Sequence, residues 1–222
     1  MTLLGIDTST PASAACVLRE DGSTFEVVPD PARLGAGPAH ARELMPAIAE
    51  VMEDAGVEFR ELEAIAVGVG PGTFTGLRIG IATARALASA SGLQLRPVSS
   101  LAALAAGIDA ELRLALIDAR RGEVFGALHG AGGEPLWPPF VASPEEVVAR
   151  VREAGVSARA AGDGSIRFRG VLEAAGIGVD ADESRSHVVR AVQVCRLARG
   201  VPGQPPGAVL PDYLREPDAK TP

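Results

Sequence analysis

Leu3-Leu4-Gly5-Ile6-Asp7-Thr8-Ser9-Thr10-Pro11 begins with an apolar run, closes it with an acid and passes into turn residues. The run is too short for a helix, and Thr, Ser and Pro bound it, so it reads as a buried strand followed by a turn. Residues 14–19 and 24–28 read as a second and a third strand. The beginning recurs in the middle of the chain, where Leu116-Ile117-Asp118 closes another apolar run. A polar turn, a hairpin partner over residues 123–129 and a weaker strand over 136–141 follow it, the last carrying two prolines.

Between and after these strands the pattern alternates. A helix is expected over residues 39–54, with Pro46 either kinking it or marking its first turn. A strand follows over 64–69, a long helix over 75–91 ended by Gly92, a strand over 95–98, and a short helix from Ser100 to Ala106. In the second half, Ser143-Pro144-Glu145-Glu146 is a helix start: a capping serine, proline in the first turn, then acids. That helix reaches about Ala154. A strand over 158–161, the turn Gly162-Asp163-Gly164 and helices over 165–175 and 187–199 complete the series. Both halves thus run β-β-β-α-β-α. The order predicts an α/β protein of two mixed-sheet lobes with helices packed on them, the element order of the actin-like, Hsp70-like (ASKHA) fold. The first lobe is expected over residues 1–100 and the second over 101–207. In the segment 208–222, the island Val209-Leu210-Pro211-Asp212-Tyr213-Leu214-Arg215 is expected to return to the first lobe.

Composition narrows the function. The 222 residues are 47% apolar, which excludes a disordered chain, but only 4% aromatic. The core must therefore be mostly Ala, Val, Leu and Ile, with little material for stacking platforms on RNA. A net charge of −7 is repelled by phosphate backbones, so tight nucleic-acid binding by this chain alone is not expected. Cys16 and Cys195 lie far apart, with no metal-ligand spacing and no disulfide framework. The opening residues lack a basic stretch and a long apolar run, and no segment reads as a membrane span. The expected compartment is cytoplasmic.

The segment Gly70-Pro71-Gly72-Thr73-Phe74-Thr75-Gly76-Leu77-Arg78-Ile79-Gly80 joins a strand to a helix through a glycine turn. A helix start of this kind can hold an anion on free backbone N–H groups. No Lys follows the glycines, so it is not a Walker A loop, and the plain alternative is a tight turn with close helix packing. The segment closely resembles the signature of the TsaB (YeaZ-like) family. Further motifs share the likeness in order along nearly the whole chain: Ile6-Asp7-Thr8-Ser9, His40 with Glu43, Leu44 and Pro46, Asp118-Ala119-Arg120-Arg121-Gly122-Glu123-Val124-Phe125, Gly162-Asp163-Gly164 and Pro211-Asp212-Tyr213-Leu214-Arg215.

The resemblance implies a non-catalytic partner subunit. Bacterial TsaB supports the catalytic subunit TsaD, a threonylcarbamoyltransferase that modifies adenosine at position 37 of tRNA, and a TsaE-type ATPase joins the assembly. TsaD binds a metal through two histidines one helical turn apart. Here His40 is followed one turn later by Leu44, so no metal site is expected, and His40 reads as a helix-start or surface residue. No cofactor of its own is expected, although ATP is possible in the complex, and tRNA is expected to reach this chain only through it. A homodimer is a further possibility. Among positions that contact nucleotide in relatives of this fold, Asp7, Gly70, Gly72, Gly162 and Gly164 are candidates. Each has a plain reading as a turn or hairpin residue. No serine sits in a nucleophile elbow with a histidine placed as its base, so no catalytic residue is assigned.

The partner surface is expected on the helices over 39–54 and 75–91. Gly76, Gly80, Ala84 and Ala88 recur every four residues as a stripe of small side chains, on a helix apolar almost all round. The first helix offers Leu44, Met45, Ile48 and Met52, the methionines seven apart. In the family, paired helices of this region form the subunit interface. Two rival readings stand beside this one. A small actin-like ATPase or kinase would need a phosphate hairpin in the second lobe, and nucleotide titration separates it. A glycoprotease-type metallopeptidase is separated by metal analysis.

Overall fold

The computed structural model describes residues 1–215. Among these residues ten strands form two sheets of matching topology, and seven α-helices pack around them. The first sheet holds β1 (Leu3–Asp7), β2 (Ala14–Leu18), β3 (Thr24–Val27), β4 (Ala64–Gly70) and β5 (Gln94–Ser99), in the order β3-β2-β1-β4-β5. The first three pair antiparallel; β1, β4 and β5 pair parallel. The second sheet holds β6 (Leu112–Arg120), β7 (Glu123–Gly130), β8 (Pro135–Ala142), β9 (Arg159–Ala161) and β10 (Gly178–Val179). Its order, β10-β9-β6-β7-β8, repeats the first with the same senses. The recurrence of Ile-Asp at the ends of β1 and near the end of β6 therefore marks a true structural repeat, and the expected α/β architecture of two mixed-sheet lobes is the one observed.

The helices form layers around these sheets. α1 (His40–Ala55) and α2 (Phe74–Ser91) cover the outer face of the first sheet, and Leu44, Ile48, Val51, Ile81 and Ala84 pack there on Leu4, Ile6, Ile65 and Val67. Each stops at a glycine in the left-handed region, Gly56 and Gly92, whose N–H groups return to the last-turn carbonyls. Pro46 lies inside α1, beyond its first turn. α4 (Pro144–Ala154) covers the outer face of the second sheet with α6 (Arg169–Ala174) and starts on the expected Ser143 cap, which Glu146 completes as a capping box. The helix expected over 165–175 is broken at Phe168 into α5 (Asp163–Arg167) and α6.

Between the sheets lie α3 (Ser100–Ala105) and α7 (Ala191–Ala198), in a layer rich in alanine: Ala64, Ala66, Ala103, Ala115, Ala127 and Ala191 all belong to it. Small side chains let α7 approach β1 closely. A Cβ on Gly5 would fall 2.8 Å from the carbonyl oxygen of Ala191. Cys16 and Cys195 are buried in this layer as free thiols. The structure places α7 against β1 and β2 of the first sheet, so the chain returns there before residue 208, the position expected from sequence. The reason is its apolar face: Ala191, Val194, Cys195 and Ala198 fill the groove that the small residues of β1 and β2 leave open. Arg190, paired with Glu26 of β3, fixes the point of return. Among the described residues, no helix is long and apolar enough to cross a membrane.

Candidate functional site

The strand-to-helix turn after β4 borders the cleft between the lobes. This cleft, of ≈ 770 Å³, is lined on one side by Pro71–Gly76 and Arg78, and on the other by Asp118–Arg121 at the tip of the β6–β7 hairpin. Asp212, Tyr213, Leu214 and Arg215 complete its rim. The segment 209–215 crosses from lobe to lobe. The Asp212 N–H donates to the Val69 carbonyl at 2.8 Å, and Tyr213 stacks on Phe74 with ring centroids 5.4 Å apart. Arg215 reaches the second lobe, where it pairs with Glu123 and donates to the Ala119 carbonyl.

Of the five residues considered for nucleotide, only Gly72 lines this cleft. Asp7 is buried behind it. One carboxylate oxygen accepts from the Ser9 N–H (2.8 Å) and hydroxyl (2.6 Å), and the other from the Ser100 hydroxyl (2.7 Å). Burial pushes its pKa up, while these bonds act against that shift. Gly70 packs against Asp212 and Leu77. The Gly162 N–H donates to His187 Nδ1 at 3.1 Å, and Gly164 lies under Leu116. Gly70, Gly162 and Gly164 make close turns and do not line the cleft.

A second cleft, of ≈ 510 Å³, adjoins the first and shares Asp118 and Arg120 with it. Asp118 accepts from the Arg120 backbone at 2.9 Å and from the Arg167 side chain at 2.8 Å. Asp163, only 9% exposed, accepts the Asp118 N–H at 3.0 Å. Burial, with the nearby Asp118 charge adding to it, pushes the Asp163 carboxyl up to about 6. In the sequence this residue is only the centre of a Gly-Asp-Gly turn. Its partner is fixed by the β6–β9 pairing, which local sequence does not show.

His40 does open α1, but at 2% exposure it is buried, not on the surface. Its Nδ1 lies 2.8 Å from the Ser13 hydroxyl, Nε2 has no hydrogen-bond partner among the described residues, and burial lowers its pKa. The small-residue stripe is likewise turned inward. Gly76, Gly80, Ala84 and Ala88 are all buried, and Cβ atoms on the two glycines would enter the space of Thr8. The stripe lets α2 lie close over β1, so it serves the core and not a partner. Leu44, Ile48 and Met52 are buried in the same layer. Of the eight residues expected at a partner surface, only Met45 is exposed, at 48%.

Two mixed-sheet lobes of repeated topology around a central cleft define an α/β protein of the actin-like class. The family model described as "TsaD: tRNA N6-adenosine threonylcarbamoyltransferase" matches residues 27–173. The structure is similar to that of YeaZ from Pseudomonas aeruginosa, with a TM-score of 0.77 at 32% identity, over 96% of this chain and 99% of that one. The tRNA threonylcarbamoyladenosine biosynthesis protein TsaB of Escherichia coli is 33% identical over 164 residues, 69% of this chain and 67% of that protein. The chain belongs to the TsaB/YeaZ family. An uncharacterized protein of Mycobacterium leprae is 37% identical over 145 residues, 65% of this chain. The aligned part spans 40% of that relative and 66% of a Mycobacterium bovis one.

Proposed function

We propose that this chain is the non-catalytic partner subunit of a TsaD-type threonylcarbamoyltransferase, and that the two pair through the outer face of α1 and α2. The observation that carries the reading is the exposed side of this helix pair. On α1, Ala41, Met45 and Ala49 are exposed one turn apart; on α2, Ala82 and Ala86 are exposed. α1 and α2 touch each other, and these small or apolar side chains stand outside the core they share. Met45 is its large adaptable side chain. The names of the curated relatives support the tRNA-modification role, and the family model supports kinship with the transferase. In this reading a TsaE-type ATPase joins the assembly, ATP is used there, and tRNA is held by the assembly in the cytoplasm. The acidic balance of the chain favours contact with tRNA through the other subunits.

The test is capture of a TsaD-type subunit by Met45→Glu and Ala82→Glu variants, with a melting curve for each. A charge desolvated at the centre of such an interface is expected to weaken pairing roughly tenfold or more, about 1.4 kcal/mol. Because both positions are exposed, melting is expected to stay unchanged. Full-strength pairing by both variants sinks this interface. Self-association lost in the same variants would show that the face also joins two copies of the chain.

A further inference from the structure

We infer that Cys16 and Cys195 form a redox lock: in an oxidising environment they close into a disulfide, which holds α7 on the first sheet. They are the two cysteines of the chain, and 179 positions separate them, yet the fold brings them together. Cys16 stands on β2 and Cys195 on α7, which packs across β1 and β2. The Cys195 Sγ lies 3.7 Å from the Cys16 carbonyl oxygen, and the two thiols hydrogen-bond each other.

The residues around the pair fix this meeting. Gly5 of β1 lies directly opposite Cys16 in the antiparallel register. A Cβ on Gly5 would fall 2.4 Å from the Cys195 Sγ, so the sulfur occupies the slot that the missing side chain leaves beside Cys16. At the start of α7, Arg190 pairs with Glu26, and the Val192 N–H donates to the same carboxylate at 3.1 Å. These bonds set the helix over its slot. Packing asks only for a small apolar side chain at either cysteine position, and Ala14, Ala66 and Ala191 fill the same layer. Two thiols in contact add a chemistry that alanine lacks.

The docked helix guards that chemistry. Both cysteines are 0% exposed. The contact with Cys16, with burial adding to it, pushes the Cys195 thiol well above its ordinary value, and the thiolate is the attacking species. Reaction therefore starts only when α7 lifts. The helix has eight residues and no side-chain cap at its start, so its release costs less than opening the sheets. The oxidant is a low-molecular-weight disulfide. One cysteine thiolate attacks it, forming a mixed disulfide and releasing one small thiolate, which takes up the proton. The second cysteine then attacks the mixed disulfide at the protein sulfur and releases the second small thiol. The protein loses two electrons and two protons, and the oxidant becomes two thiols. In a reducing compartment the pair stays as two thiols and the lock stays open.

The experiment is incubation of the full chain with oxidised glutathione, with and without mild urea, followed by intact mass, peptide mapping and a melting curve after the urea is removed. The parent is expected to lose the mass of two hydrogens and to yield a peptide pair joined through Cys16 and Cys195. Its Tm is expected to rise by roughly 5–15 °C, and a reductant is expected to reverse all three changes. Without urea, reaction is expected to be roughly a hundredfold or more slower than in the unfolded chain. Cys16→Ala and Cys195→Ala are each expected to gain one glutathione and no rise in Tm. No internal bond, an internal bond that leaves Tm unchanged or lowers it, or native thiols that react as fast as unfolded ones overturns the inference. The oxidised and reduced parent are compared without any substitution, so a variant that folds poorly does not obscure the result.

Discussion

Gly76→Ala is expected to destabilise the fold by about 3 kcal/mol or more, the upper end of what overpacking costs. The added Cβ would enter the Thr8 carbonyl oxygen, a backbone atom of the segment that follows β1 and one that cannot swing aside. It would also crowd Thr73 and His40. For a chain of this length the loss corresponds to a fall in Tm of roughly 6–12 °C. Gly37→Ala is the matched control, since nothing lies within 4 Å of a Cβ there, and it is expected to melt with the parent. A Gly76→Ala protein with parental Tm and weakened subunit pairing would return the small-residue stripe to a partner surface.

Asp163→Asn is expected to act in the other direction. The Asp163 carboxyl titrates at about 6 in the folded protein and at 3.8 in a free side chain. Since the folded value is the higher, the stability this group contributes is whole below pH 3.8 and is lost as the pH rises towards 6. At pH 7 the ionised carboxylate costs about 3 kcal/mol relative to its protonated form. Asparagine is uncharged, and its side-chain oxygen still accepts the Asp118 N–H. The variant is expected to be more stable at pH 7 by up to about 3 kcal/mol, with the gain shrinking from pH 6 to pH 4. Denaturant titrations at several pH values check this. A gain that grows on acidification, or none at pH 7, would show that Asp163 is not held by burial.

What could be read in advance followed from whether a signal was local. The paired Ile-Asp strand ends, the Gly92 stop of α2 and the Ser143 cap of α4 are written within a few residues, and each is found where expected. The orientation of the small-residue stripe is not local. Gly76, Gly80, Ala84 and Ala88 would look the same facing a partner helix or a strand, and only the approach of Thr8 across the sheet decides. The return of α7 to the first sheet escaped for the same reason: its periodicity shows a buried face but not what buries it. Asp163 was hidden in a common turn motif until β6 came beside β9. His40 was read from its missing metal partner, which says nothing about burial.

The segment 209–215 has a consequence for how the molecule moves. Two lobes joined at a cleft would ordinarily rotate about a hinge, opening and closing around whatever enters. Here the Asp212 and Tyr213 contacts hold the segment to the first lobe, while Arg215 ties it to Glu123 and Ala119 of the second. Opening must break that tie and also pull apart the alanine-lined layer around α3 and α7, which packs as one apolar body. The lobe angle is thus set within the chain itself. A protein held in this way meets another surface with its shape already fixed, and little conformational entropy remains to be lost when the two associate.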